Sequence, residues 1–479
     1  MRLKFLILLA LVLILIFFSQ PVLSQAFEKH RLIVLTDIEA EPDDTQSLVR
    51  LLLYSSEIDI EGLIATTSCW HKTRVDPDSI RKVIQAYGSV RPNLEKHESG
   101  FPTAEDLLRV VTRGLPVYGM QGVGEGKNSE GSDLIIKVLK EEDDRPLWVS
   151  VWGGASTLAQ ALFEIRRTSS VEEAARLISK LRVYTISDQD DTGMWIRNTF
   201  PDLSYIVSPG DDYGSATWSA INGFIEGIDN EKISNSWLAR NIQQGHGPLG
   251  VAYPDVAYGM EGDTPSWLLL IPNGLNVPEH PEWGGWGGRY ELKIPDFSKV
   301  RKGDSGVPFE PETRKIWTDT SDKYVPFVES EYGRTVVPGT ASFEGNKVTF
   351  WRWRDDLQND FAARMDWAVL PYTEANHPPQ VILDHSREIT AQSGQYISLR
   401  ARKSTDPDGD HLSFLWFNYP EAGTYGGLIE VSPANLSNAY VRLPEVKREE
   451  TVHFIVRVTD KGVPQLSRYK RVIVRILPK

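Results

Sequence analysis

The sequence predicts a two-part chain: an α/β unit with a mostly parallel sheet flanked by helices, followed by an antiparallel β-sandwich. Three observations carry this. Short, wholly apolar runs alternate with helix-spaced stretches between residues 31 and 187. After Asn376-His377-Pro378-Pro379 the pattern changes to short alternating strands. The 479 residues, 41% hydrophobic and 24% charged, suffice for two or three domains and are too apolar for general disorder.

The first element is a leader. Arg2 and Lys4 precede an uninterrupted apolar run over residues 5–18, and small and polar residues follow up to Gln25. Fourteen residues fall short of the roughly 20 a membrane span needs, and no comparable run follows. The expected division is therefore a signal peptide over residues 1–24, the α/β domain over 25–374 and the sandwich over 375–479. A secreted or periplasmic protein with no stable membrane span follows.

RLIVLT (31–36) is a strand apolar on both faces, which a parallel sheet covered by helices requires. TQSLVRLLLY (45–54) has helical spacing, and IEGLIAT (60–66) is the next strand. The alternation resumes with a strand over 146–151, a helix from Ser156, a helix over 171–180 and a strand over 181–187. In such sheets ligands sit beyond the carboxyl ends of the strands, so the residues after Leu35, Ile64, Val151 and Ile186 are the ones to search. Residues 241–373, rich in Gly, Pro and Trp, form either long ordered loops over the sheet or a small extra layer. Six strand-like segments between 380 and 476, with turns such as Asp406-Pro407-Asp408-Gly409, make up the sandwich. STDPDGDHLSFLW (404–416) resembles the turn and strand of cadherin-like and polycystic-kidney-disease-type modules. Its aspartates suit either calcium or a plain turn.

A net charge of −13, from 65 acidic and 52 basic side chains, argues against a nucleic-acid partner. The single cysteine, Cys69, excludes an internal disulfide and a cysteine-rich zinc site, and with no base beside it in sequence it reads as packing.

The strongest chemical signal is TDIEAEPDD (36–44), with five acids in eight residues at the end of the first strand. If the chain stays extended past Thr36, Asp37 and Glu39 share a face. Asp43 and Asp44 precede a helix whose free N–H groups favour negative charge. Carboxylates gathered this way repel one another, and a hard cation with oxygen ligands relieves that repulsion.

TDIEAEPDD resembles the aspartate-rich opening motif of the inosine–uridine-preferring nucleoside hydrolases. Over the whole mature chain the sequence is similar to a secreted branch of that superfamily known as cellulose-binding proteins. That branch joins a nucleoside-hydrolase-like domain to a C-terminal cadherin-like domain. The resemblance implies one Ca²⁺ held by Asp37, Glu39, Asp44, the Ser156 carbonyl in GGASTLAQAL (153–162) and Asp263 in EGDTPSWL (261–268). It places Glu39 where the family's water-activating aspartate stands, so the catalytic pair would be Glu39, as general base, and Asp43. The departures are Glu for Asp at 39, an altered proline-glycine turn, and Thr66-Thr67-Ser68 in place of an asparagine after the second strand.

A carboxylate-rich calcium site can fix two adjacent sugar hydroxyls and lower the pKa of bound water. That chemistry suits an inverting hydrolase of glycosidic or N-ribosidic bonds acting on a carbohydrate or nucleoside-like molecule. The alternative is a non-catalytic carbohydrate-binding protein on a hydrolase-like fold. Further candidates for substrate contact lie in loops. Asp188 and Asp191 follow the strand over 181–187, His246 lies between glycines, and Trp70 follows the second strand. Trp283 and Trp286 either stack on sugar rings or pin the long loop.

Overall fold

In the computed structural model, which describes residues 28–214, 216–298, 300, 306–330 and 335–479, RLIVLT becomes β1 (His30–Thr36). The leader expected over residues 1–24 lies outside the described residues. Leu32 and Val34 of β1 pack into one apolar cluster and Ile33 and Leu35 into another, so the two-residue period fills both faces of the sheet. The helices Pro42–Leu52, Pro77–His97 and Arg354–Trp367 supply the first cluster, and Glu130–Lys140 and Ser156–Thr168 the second.

The remaining strands of this sheet are β2 (Ile58–Ala65), β3 (Val111–Arg113), β4 (Leu147–Val151), β5 (Leu181–Thr185), β6 (Ser204–Val207), β7 (Tyr290–Lys293) and β8 (Ile316–Asp319). Their order is β3-β2-β1-β4-β5-β6-β8-β7, parallel throughout except for β7 against β8. Strand β1 is central. From it the chain winds outward through β2 and β3, then returns to β4 on the opposite side. The order therefore reverses between β1 and β4, and a crevice opens beyond their carboxyl ends.

The segment before the second sheet combines both arrangements the sequence left open. It holds long irregular stretches and short helices, and it also contributes β7 and β8 to the main sheet. Two small ribbons complete it, β9 (Asp322–Tyr324) with β12 (Phe343–Gly345) and β10 (Phe327–Glu329) with β11 (Val336–Pro338).

The C-terminal strands are β13 (Glu388–Gln392), β14 (Tyr396–Arg400), β15 (Ser413–Asn418), β16 (Asn438–Arg442), β17 (Glu450–Thr459) and β18 (Ser467–Leu477). They form a sheet β13-β18-β17-β15 and a pair β14–β16 around a core that includes Trp416, Leu399, Val456 and Val474. All pairings are antiparallel except β13 with β18, which is parallel. The sandwich is also less separate than its sequence grammar predicts. Arg471, fully buried, donates to the carbonyls of Leu275 (3.0 Å) and Gly284 (2.8 Å), and the Tyr469 N–H donates to the Asn273 carbonyl at 2.9 Å. Phe417, Tyr419, Ile455 and Tyr469 belong to the same apolar cluster as the α/β helices. Among the described residues no helix is long and apolar enough to cross a membrane.

Candidate functional site

The chain does not stay extended after β1. The Ala40 N–H donates to the Asp37 carbonyl at 2.9 Å, and Glu39 takes φ 77, closing a tight turn. Glu39 is thereby left exposed, while Asp37 is turned inward and buried. Pro42 then starts the next helix, and Asp43 and Asp44 occupy its buried first turn. Asp44 accepts a hydrogen bond from the Thr36 hydroxyl, and Asp43 accepts one from the Trp218 indole N–H at 2.7 Å. Gly262 permits that contact, since a Cβ there would collide with the Trp218 ring. Gly153, just past β4, admits Asp37: a Cβ would lie 2.7 Å from its Oδ1.

Asp263 arrives from the segment preceding the short helix Pro265–Leu268. Its carbonyl accepts from the Ser266 hydroxyl, which is itself 2.6 Å from Ser150 on β4, so the segment is tied to the sheet beside the crevice. Asp43, Asp44 and Asp263 converge there, with one carboxylate oxygen from each lying within 4.8 Å of the others. All three are buried, and Asp263 Oδ2 has no hydrogen-bond partner.

Burial raises every carboxyl here. It pushes Asp37 up to about 7, with the neighbouring Asp43 adding to the rise, Glu41 to about 7 and Asp43 to about 6. Asp44 and Asp263 lie well above the ordinary carboxylate range, first from burial and then from the acids around them. Among the described residues no lysine or arginine lines the cavity to offset this charge. A buried acidic triad with an unpartnered oxygen and no protein cation nearby has the donor set of a divalent-cation site, and its all-oxygen composition suits a hard ion.

The triad forms the floor of a cavity of about 280 Å³. Trp152 and Gln189 line its inner wall, and Trp70, Tyr213, Trp218 and Tyr258 its aromatic walls and mouth. Trp70 and Tyr258 are the open ones, 42% and 76% exposed. Gln189 donates through Nε2 to the Trp152 carbonyl and keeps Oε1 without a partner.

Of the sequence candidates, the structure gathers Asp37, Asp43, Asp44, Asp263 and Trp70 at this cavity. The others lie elsewhere. Ser156 opens its helix and donates its N–H to Asp190 at 3.2 Å. Asp188 is held by Arg197 through two 2.8 Å hydrogen bonds, and Asp191 accepts from the Met120 N–H. His246 Nε2 lies 3.1 Å from Asp366. Trp283 stacks on His280 at 3.8 Å and meets His453 edge-on at 4.9 Å, while Trp286, with no exposed surface, packs edge-on to Tyr469. Both tryptophans therefore anchor the loop beneath the sandwich. Glu41, Gln189, Trp152, Tyr213, Trp218 and Tyr258 escaped the sequence reading. Glu41, inside the acidic motif, and Trp152 and Gln189, just beyond the strand ends at Val151 and Ile186, carried a signal that could have found them.

Residues 31–290 match the family described as cellulose-binding Sde182, nucleoside hydrolase-like domain. Residues 396–476 match the C-terminal domain of cellulose-binding protein Sde0182. Among solved structures, a nucleoside hydrolase-related hypothetical protein from Saccharophagus degradans, associated with carbohydrate metabolism, is 34% identical. It aligns over 94% of this chain and 100% of its own with a TM-score of 0.79. A PKD domain (24% identity, 22% of this chain and 94% of its own, TM-score 0.16) and a type III effector complexed with adenosine diphosphate ribose (12%, 60% and 88%, TM-score 0.23) are too distant to carry an argument. No curated protein matches.

Proposed function

Because the chain belongs to the Sde182 family of cellulose-binding proteins with a nucleoside hydrolase-like domain, we propose that it is a calcium-dependent carbohydrate-binding protein whose sugar site is the carboxylate cavity. The observation that carries this reading is the buried Asp43–Asp44–Asp263 triad beneath an aromatic mouth. Asp43, Asp44 and Asp263 would hold the ion, and Ca²⁺ supplies open coordination positions for two adjacent sugar hydroxyls. Trp70 and Tyr258 present ring faces to the apolar side of a pyranose. The Trp218 indole fixes the orientation of Asp43. The leader read from the sequence would deliver the mature chain outside the cytoplasm, where both calcium and glycan are met.

The test is retention on cellulose and titration with cellotetraose, each with calcium and with a chelator. Calcium-dependent binding that Asp263→Asn removes supports the reading. Equal binding with and without calcium, or none in calcium, rejects it.

One observation favours a second reading, a hydrolase of glycosidic or N-ribosidic bonds. Asp37, a buried carboxyl, lines the cavity outside the triad, the position from which a general base would act. Glu39, which the sequence resemblance puts at the family's base position, is exposed in the turn instead. Turnover of p-nitrophenyl furanosides, pyranosides or nucleosides that Asp37→Asn abolishes would make the protein an enzyme.

A further inference from the structure

Five carboxylates line the acidic cavity: Asp37, Glu41, Asp43, Asp44 and Asp263. Among the described residues no lysine or arginine lines it with them. One divalent ion offsets only two of those charges when all are ionised, so a surplus of negative charge remains beside it. Four of the five are buried, and three of these form the triad. Glu41 is the exception, partly exposed and therefore within reach of a bound molecule.

Glu41 is also unpartnered. It stands at the N-cap of the helix Pro42–Leu52, yet its side chain caps no backbone N–H. Among the described residues its carboxylate makes no hydrogen bond and no ion pair. Its charge nevertheless acts within the cluster. Burial comes first in raising the carboxyls of Asp37, Asp44 and Asp263, and the Glu41 charge adds to the rise at all three. Asp43 does the same to Glu41, again after burial. A head group coupled to four neighbouring carboxyls is turned toward them.

Surplus negative charge repels a uronic acid or a sugar phosphate. A neutral sugar can donate a hydroxyl to Glu41 but leaves the surplus uncancelled. A ligand ammonium does both, since it donates up to three hydrogen bonds and carries the opposite charge. We propose that the cavity selects an amino sugar, whose free ammonium pairs with Glu41 while hydroxyls of the same ring meet the calcium ion. This rests on the carbohydrate reading of the cavity and names the class of sugar it takes, with Glu41 as the residue that sets the choice.

The experiment is calorimetric titration of the full chain, in saturating calcium at pH 7, with a glucosamine tetramer, its N-acetylated counterpart and cellotetraose. The three share one pyranose backbone and differ only in the group on the second ring carbon. The parent should bind the glucosamine tetramer roughly tenfold tighter, or more, than either neutral chain, the scale of a hydrogen bond between charged groups. That preference should shrink as salt is added. Glu41→Gln keeps the side chain's size and should bring the three affinities to within about twofold of one another. Glu41→Asp keeps the charge but withdraws it by one methylene, and should retain part of the preference. Equal affinities in the parent, or a preference that survives in Glu41→Gln, would overturn this inference and leave the carbohydrate reading standing. Binding of none of the three would instead reject the carbohydrate reading, and this inference with it.

Discussion

Replacing Asp263 by Asn should stabilise the metal-free protein and destabilise the calcium-loaded one relative to the parent. Two unit charges 4.8 Å apart at an effective dielectric of 20 repel by about 3.5 kcal/mol. Asp263 takes part in two of the three pairs in the triad, so its removal relieves twice that repulsion if all three are ionised. Protonation already relieves much of it at neutral pH, which the raised pKa values of Asp44 and Asp263 express. A net gain on the order of 1–3 kcal/mol at pH 8 remains, visible as a rise of about 1–3 °C in the midpoint of thermal unfolding in chelator. In calcium the order reverses. At one hundred times its Kd an ion bound only by the folded chain adds about 2.7 kcal/mol to the parent, whereas the variant has lost a ligand. Differential scanning fluorimetry on both proteins in both conditions gives the four midpoints. A variant less stable than the parent in chelator as well as in calcium would refute the reasoning, because the triad would then be held by contacts other than a cation.

Metal-free protein should lose stability as pH rises through the carboxyl cluster. The folded pKa values of Asp37 and Glu41 (about 7) and of Asp43 and Asp190 (about 6) lie above the ordinary unfolded values near 4, so their contribution is complete below about pH 4 and lost through pH 6–7. The calcium-induced rise in unfolding midpoint should accordingly be larger at pH 8 than at pH 5, and the opposite trend would contradict the assignment. Trp218→Phe removes the N–H that holds Asp43 and should weaken calcium binding roughly tenfold, the scale of a hydrogen bond to a charged group, as read by calorimetry. Glu39→Gln should leave calcium affinity unchanged, since that side chain is exposed. Arg471→Met strips the donor from the Leu275 and Gly284 carbonyls and should lower stability by about 2–4 kcal/mol in a single unfolding transition, because the junction is part of one core. Two separated transitions in the parent would argue against that shared core.

The α/β architecture was legible because β1 is covered on both faces. A strand in that position must be apolar at every residue, and RLIVLT is. The acidic cluster was legible as density but not as orientation. The expectation that Asp37 and Glu39 share a face assumed an extended chain, whereas the turn closed by Ala40 puts Glu39 outside and brings Glu41 to the cavity. Asp263 was placed beside the helix residues only through the family resemblance, since nothing local to EGDTPSWL (261–268) brings it to the end of the first strand. Trp218, Tyr213 and Tyr258 could not be placed, because they come from irregular segments with no period to read. Trp283 and Trp286 carried the opposite ambiguity. Their partners, His453 and Tyr469, lie far along the chain, so nothing local distinguished a sugar platform from a buried anchor. The parallel pairing of β13 with β18 likewise joins the two ends of the sandwich and leaves no mark in the local pattern.

The central claim is that Asp43, Asp44 and Asp263 hold one divalent cation. Calorimetric titration of calcium into chelator-treated protein at pH 7, repeated in buffers of different ionisation enthalpy, tests it most directly. Asp44 and Asp263, whose carboxyls burial holds well above the ordinary range, must release protons when the ion binds. The account predicts one ion per chain in the parent, with net proton release, and loss of both signals in Asp263→Asn. Binding without proton release, or binding that Asp263→Asn leaves intact, would contradict it.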